Sequence, residues 1–162
     1  MISKKMAKAL LEQVNAETYS AYLYLAMSTC AKFKGNDGTA HWFKVQAGEE
    51  NKHAEKFSEY LVDQNVHVVL DAIGKPPAEW DSIAAMFKGA LAHEKNITAM
   101  INNLVKLARA EGDNATEIML QWFVTEQVEE EKNDTDVLTK LAMIGDKSSV
   151  LYLLDKELGK RE

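Results

Sequence analysis

Apolar residues recur every three or four positions along most of this chain, which is the spacing of one face of an α-helix. Four long segments carry such a stripe of apolar residues, and a shorter segment follows them. We therefore predict an all-α protein with five helices: Ser3 to about Phe33, about Thr39 to Asn65, Asp81 or Ser82 to Gly112, Asn114 to Gly145, and Ser148 to Leu158.

Polar residues mark where several of these helices begin. Ser3, and either Asp81 or Ser82, can accept a hydrogen bond from a backbone N–H at a helix N-terminus. Asn114, with Glu117 three residues later, resembles a capping box for the fourth helix. Glycines follow the first, third and fourth helices, where a left-handed residue commonly ends a helix.

The lengths of the connections predict how the helices pack. The turn at residues 35–38 is so short that the first two helices must be antiparallel neighbours. Residues 66–80 contain a glycine and a Pro-Pro pair, so we predict an extended connection that lets the third helix run parallel to the second. The predicted fold is an all-α four-helix bundle with a long crossover between helices two and three and a short fifth C-terminal helix. Since four helices fill a bundle, the fifth should need a further surface, which suggests an oligomer contact.

Each long helix places a carboxylate about midway along its apolar stripe. These residues are Glu17, Glu50, Glu94 and Glu130. When the helices pack, the four side chains must meet in the interior of the bundle. Four buried carboxylates repel one another strongly in a medium of low dielectric constant, so the arrangement requires cations among them. Four negative charges balance two divalent ions.

Two spaced pairs of polar residues refine the expected ligand set. Glu50 and His53 lie one turn apart on one helix face, so a carboxylate and an imidazole converge on one point. One imidazole among oxygen ligands suits iron or manganese better than structural zinc. The fourth helix offers Gln127 and Glu130 where a di-iron bundle would place a second Glu-x-x-His motif. The second metal position should therefore be weaker and exchangeable.

Composition narrows the class of function. The chain has 162 residues, which suits a single domain spanning residues 1–162. Its net charge of −6 disfavours contact with nucleic acid or an anionic membrane and favours cations. The single cysteine, Cys30, suits a reducing compartment. We see neither a signal peptide nor a run of about 18 apolar residues, so we expect a cytoplasmic protein.

Several motifs together resemble prokaryotic non-haem ferritin. They are the run LQWFVTEQVEEE at 120–131, Glu17, Tyr24, the segment at 49–53 and the His93-Glu94 pair. The resemblance covers nearly the whole chain. It implies a 24-subunit hollow shell that oxidises ferrous iron with dioxygen at a di-iron centre within each subunit and stores it as a ferric mineral.

The same resemblance assigns roles to individual residues. It implies two iron ions per subunit, bridged by Glu50, with the first held also by Glu17 and His53. The residues around the second ion would be Glu94, Glu130, Gln127 beside them, and Tyr24 behind the ligands. It also implies a third iron position, whose expected acids are Glu49, Glu126, Glu129 and Glu130.

Departures from related families narrow the prediction further. The haem-containing bacterioferritins have a second Glu-x-x-His motif, and a methionine where this chain has Asn51, so we expect no haem. Rubrerythrins add paired Cys-x-x-Cys motifs, which one cysteine cannot supply. The DNA-protecting mini-ferritins place the site between subunits and often carry basic tails, and neither feature is found. His41, His67 and His93 are expected to be surface or packing residues.

Two alternative functions stay open at this point. One is a di-iron oxidoreductase or peroxidase that uses the same carboxylates without storing mineral. The other is a non-enzymatic helical interaction module. The module is disfavoured because apolar residues in place of four buried carboxylates would often be neutral or stabilising, so a scaffold gains nothing from them.

Overall fold

A computed structural model describes residues 1–145 and 148–162 and confirms the five predicted helices and the all-α bundle. The second helix begins and ends two residues earlier than predicted, and Asn65, with a φ of 60°, lies just beyond its end. The helices are α1 (Lys4–Phe33), α2 (Asp37–Asp63), α3 (Ile83–Glu111), α4 (Asn114–Ile144) and α5 (Ser148–Leu158).

The helix caps agree with the sequence at two of three positions. Ser3 accepts a hydrogen bond from the backbone N–H of the third residue of α1, and Ser82 does the same for α3. The predicted cap at Asn114 is wrong by one residue. Asp113 caps α4 instead, because its side chain accepts from the backbone N–H of Thr116 at 3.1 Å while Asn114 is already helical.

The long connection between α2 and α3 follows α1. The Asn15 amide donates to the carbonyl oxygen of Ala72 at 3.4 Å, and the Lys34 ammonium donates to the carbonyl oxygen of Trp80. Asn15 lies in the middle of α1 and Lys34 directly follows its end, so the connection leads toward the end of the bundle where α2 also starts. The third helix therefore runs parallel to the second, as predicted.

The apolar core consists of two clusters at different heights of the bundle. One contains Tyr24, Phe43 and Phe87. The other contains Phe57 and Phe123, whose rings stack with centroids 3.8 Å apart. Buried polar side chains from all four long helices lie in the layer between the clusters. This layer holds the carboxylates that the sequence predicted to meet.

Part of the apolar side of α5 packs on the bundle of its own chain. Leu154 and Leu158 are buried in the first cluster. The expectation that this side needs a surface outside the bundle is therefore wrong for these two leucines. Tyr152 and Leu153, on another side of α5, are exposed. No helix in the described ranges is long and apolar enough to cross a membrane.

A buried acid of α5 fixes that helix to the start of α2. The Asp155 carboxylate accepts hydrogen bonds from the backbone N–H groups of Gly38 and Thr39, at 2.9 and 2.8 Å, and from the Thr39 hydroxyl at 2.7 Å. A negative charge is favourable at a helix N-terminus. Position 38 must be glycine here, because a Cβ would lie 1.6 Å from the carbonyl oxygen of Asp155. These contacts anchor the C-terminal segment.

Candidate metal centre

The polar layer contains all six residues that the sequence analysis placed around the two metal ions. Each is at most 4% exposed, although five are charged or titratable groups. These polar residues are buried because they lie on the same helix faces as the apolar stripes. Burial of the apolar residues on both sides of them turns those faces toward the interior of the bundle. The six residues are Glu17, Glu50, His53, Glu94, Gln127 and Glu130.

Glu17, Glu50 and His53 form a compact group on α1 and α2. Each offers one ligand atom, and these atoms all lie within 4.8 Å of one another. The Nδ1 atom of His53 is 3.3 Å from Oε2 of Glu50. Gln13, one turn before Glu17, donates to Oε1 of Glu17 at 2.8 Å. The other oxygen, Oε2, is buried and has no hydrogen-bond partner. A buried carboxylate oxygen without a donor can serve as a ligand for a cation.

Glu94, Gln127 and Tyr24 form a neighbouring network. The Tyr24 hydroxyl donates to one oxygen of Glu94, and the Gln127 amide nitrogen donates to the other at 3.0 Å. The same nitrogen lies 3.2 Å from the Thr98 hydroxyl oxygen. The sequence predicts Gln127 beside the second metal position. With the carboxylate of Glu94 as its neighbour, the amide directs its N–H group toward that position.

Gln46 connects the two halves of the centre, a role that the sequence analysis missed. Its amide nitrogen donates to Oε2 of Glu130 at 2.7 Å and to Oε1 of Glu50 at 3.1 Å. The only sequence signal was its place in the buried stripe of α2, one turn before Glu50. One amide thus holds carboxylates from two helices at a fixed separation.

Burial and mutual repulsion raise the pKa values of these carboxyl groups. Desolvation is the largest cause in each case. It raises the pKa of Glu17 well above the usual range, with repulsion from Glu50 adding to it. The pKa of Glu50 is raised by desolvation and by the charges of Glu94 and Glu130. Desolvation and Glu94 raise the pKa of Glu130 to about 7. The metal-free centre therefore holds protons near neutral pH.

Binding of a divalent cation should release these protons. Ligation requires ionised carboxylates, so we expect roughly one to two protons to leave per centre at pH 7. For the same reason, the affinity should weaken as the pH falls below the raised pKa values. Anaerobic titration calorimetry with Fe(II), repeated in buffers of different ionisation enthalpy, measures the release. Identical apparent heats in every buffer would contradict this expectation.

The acids predicted for a third iron position are only partly brought together. Glu126 lies on the outer side of His53, with its Oε1 atom 3.8 Å from Nε2 of the imidazole. Glu126, Glu130 and His53 form a second compact group of ligand atoms. Glu49 instead pairs with Arg161, and Glu129 is exposed.

Asp134 is a second residue that the sequence analysis left without a role. It follows Glu130 by one turn of α4 and is 2% exposed, with Oδ1 lacking any hydrogen-bond partner. Desolvation, Glu94 and Glu130 raise its pKa to about 8, and Arg161 opposes that increase. The sequence signal for Asp134 was its place in the buried stripe of α4. Such a stripe does not distinguish an acid that faces the metal centre from an acid that lies next to the centre.

His93 is a packing residue, as expected. It lies 2.7 Å from the hydroxyl oxygen of Ser20 and edge-on to the ring of Tyr24. Burial lowers its pKa to about 4, so it is neutral at physiological pH. It supports the tyrosine that donates to Glu94.

Known proteins resemble this chain over its whole length. A family model described as the ferritin-like domain matches residues 7–144. A bacterial non-heme ferritin of Staphylococcus epidermidis is 41% identical over 161 residues, which cover 99% of this chain and 97% of the relative. A Staphylococcus aureus relative described in the same words is 38% identical with the same coverage. A solved structure, of an open pore ferritin from the hyperthermophilic archaeon Archaeoglobus fulgidus, has a TM-score of 0.99 at 45% identity and full coverage of both chains.

Proposed function

The chain belongs to the ferritin family, and from this membership we propose that it stores iron. It binds Fe(II), oxidises it to Fe(III) with dioxygen, and retains the product as a ferric mineral inside a 24-subunit shell in the cytoplasm. The observation that carries the proposal is the compact buried group of Glu17, Glu50 and His53, which includes a carboxylate oxygen without a partner.

The proposed reaction uses two ferrous ions as substrates. Each ion gives up one electron, and the two electrons reduce dioxygen. With two protons this yields hydrogen peroxide and two ferric ions, so charge and atoms balance. The raised pKa values mean that the centre exchanges protons near neutral pH, close to where the oxygen is reduced. The apolar clusters on both sides limit the access of water to this layer.

The residue roles in this proposal follow the two groups of side chains. Glu17 and His53 hold the first iron, and Glu50 bridges both ions. Glu94 and Glu130 hold the second. Gln46 supports this assignment, because its amide nitrogen donates to both Glu50 and Glu130 and so holds them next to each other. The remaining residues are Gln127, beside the second ion, and Tyr24, whose hydroxyl orients Glu94.

Particle size and iron chemistry together test the proposal. Sedimentation of the purified protein should give a particle of two dozen chains, and Fe(II) added in air should produce the absorbance of a ferric product that stays soluble. A particle of one subunit, about 18.1 kDa, that still oxidises Fe(II) would favour the non-storage oxidoreductase instead. A large particle without oxidation would favour a structural module.

The weaker second position should make the centre reusable. Gln127 brings no charge to that position, and ferric iron prefers anionic oxygen, so the product can leave toward Glu49, Glu126 and Glu129. Gln127→Glu adds a carboxylate beside Glu94, where the amide now donates at 3.0 Å. This change should tighten the second position and slow the recovery of activity after each round of oxidation about tenfold.

Repeated additions of two Fe(II) per subunit, separated by pauses, measure that recovery. The matched control is Gln121→Glu, which makes the same change at an exposed site of the same helix. Recovery in Gln127→Glu equal to the control would mean that Gln127 does not set the asymmetry of the two positions.

A further inference from the structure

Arg161, the second residue from the end of the chain, reaches the acids outside the metal centre. Its Nη2 atom lies 2.5 Å from Oε2 of Glu49, across 112 residues of sequence. The side chains are only 18% and 33% exposed, so the pair is shielded more than an ordinary surface ion pair. Glu49 immediately precedes Glu50 on α2.

Several contacts hold this guanidinium in place. It lies over the ring of Trp42, 4.2 Å from the ring centroid, in a cation–π arrangement. The carbonyl oxygen of Arg161 is 2.8 Å from Nε2 of His41, which fixes the backbone next to α2. The segment itself is anchored by the bonds of Asp155 to the start of α2. Arg161 is therefore a positioned cation and not a loose terminal side chain.

The ion pair with Glu49 leaves part of the guanidinium without a hydrogen-bond partner. Its Nη1 atom is buried without a hydrogen-bond partner, and so is Oδ1 of Asp134. A buried donor that lacks a partner costs free energy, so the arrangement is not explained by stability alone. An additional acceptor or anion beside the guanidinium would satisfy it.

We propose that Arg161 is a tethered cation that competes with iron for Glu49 at the third iron position. The inference rests on the proposed function, since it concerns how iron leaves the centre. A metal ion and a guanidinium cannot both take the same carboxylate oxygen at bonding distance, and each repels the other. Iron must therefore displace Arg161 from Glu49 in order to bind there.

This competition would keep the third position weak. The two inner positions contain buried carboxylates that have no cationic side chain within ion-pair distance, apart from the imidazole of His53, among the described residues. The outer position, in contrast, has its own cation in the metal-free protein. Iron that arrives from the centre is then held briefly, and the returning guanidinium helps to release it. Arg161 thus acts through Glu49 as a positioning residue.

Anaerobic calorimetry of the assembled, full-length protein with Fe(II) tests the proposal. In Arg161→Gln, the third ion should bind about three- to fivefold more tightly than in the wild type, because an ion pair of this exposure is worth up to about 1 kcal/mol. The two tighter ions should be unchanged. Arg161→Lys keeps the charge near Glu49 and should behave like the wild type. Lys160→Gln is the matched control, since it removes an exposed positive charge one residue away.

The outcomes separate this inference from the proposed function. An unchanged third affinity in Arg161→Gln, or no third ion in either protein, would overturn the competition. Equal effects of Arg161→Lys and Arg161→Gln would also overturn it, because charge would not be the cause. If the wild type itself did not bind two ions tightly, that result would instead count against the di-iron centre.

Discussion

Glu50→Ala should slow the fast phase of iron oxidation at least about a hundredfold while leaving the shell assembled. Glu50 lies in the compact group with Glu17 and His53, and it shares the amide of Gln46 with Glu130. Its loss removes a ligand from both proposed iron positions at once. Stopped-flow absorbance after mixing with Fe(II) in air measures the rate, and sedimentation measures assembly.

The control for this experiment is Glu55→Ala, which removes an exposed glutamate from the same helix. It should oxidise iron at the wild-type rate. If Glu50→Ala also oxidised iron at that rate, the assignment of the centre to this layer would be wrong. A shell that failed to assemble would be visible by sedimentation, and Glu50→Gln, which keeps the side-chain shape, would then replace it.

The fold could be predicted because its signals are local. The stripe of α1, for example, contains Val14, Glu17 and Ala21, and burying its apolar members forces the acid between them into the interior. The same reasoning applies to Glu50, Glu94 and Glu130. The family resemblance stated from the motifs is confirmed by the match to the ferritin-like domain over residues 7–144.

The missed features depend on contacts between residues far apart in the chain. Gln46 and Glu130 are 84 residues apart, and Asp155 caps α2 from a distance of more than a hundred residues. A periodic pattern shows which side chains face inward, but it does not show which of them meet. Arg161 gives the clearest case, because a basic residue near a chain end is ordinarily a solvated one.

The missed cap of α4 has a different cause. Asp113 and Asn114 are adjacent, and both residue types favour the N-cap position. The sequence motif with Glu117 favoured Asn114. The hydrogen bonds of Asp113 to both the backbone and the hydroxyl of Thr116 decide the position in the folded chain.

Asp134→Asn should stabilise the metal-free protein, and the gain should grow as the pH rises. The unfolded chain ionises an aspartate near pH 3.9, whereas burial and the charges of Glu94 and Glu130 raise the pKa of Asp134 to about 8 in the folded state. Between these values the folded protein binds more protons than the unfolded chain. The stability that this proton binding contributes to the wild type is therefore fully present below about pH 4 and is lost as the pH rises through about 8.

The neutral asparagine removes this loss. Relative to the wild type, the free energy of unfolding of Asp134→Asn should increase by about 4 kcal/mol more at pH 8.5 than at pH 5. This difference corresponds to roughly 10 °C in the thermal midpoint. The change between the two pH values is the quantity to measure, because an amide without a partner lowers stability equally at both.

The control is Asp136→Asn, two residues away on the exposed side of α4, where Lys132 pairs with the aspartate. Its effect should be small at both pH values, because an exposed ion pair contributes little to stability. If Asp134→Asn showed no more pH dependence than Asp136→Asn, the buried carboxyl would be ionised at neutral pH and Arg161 would be its effective partner.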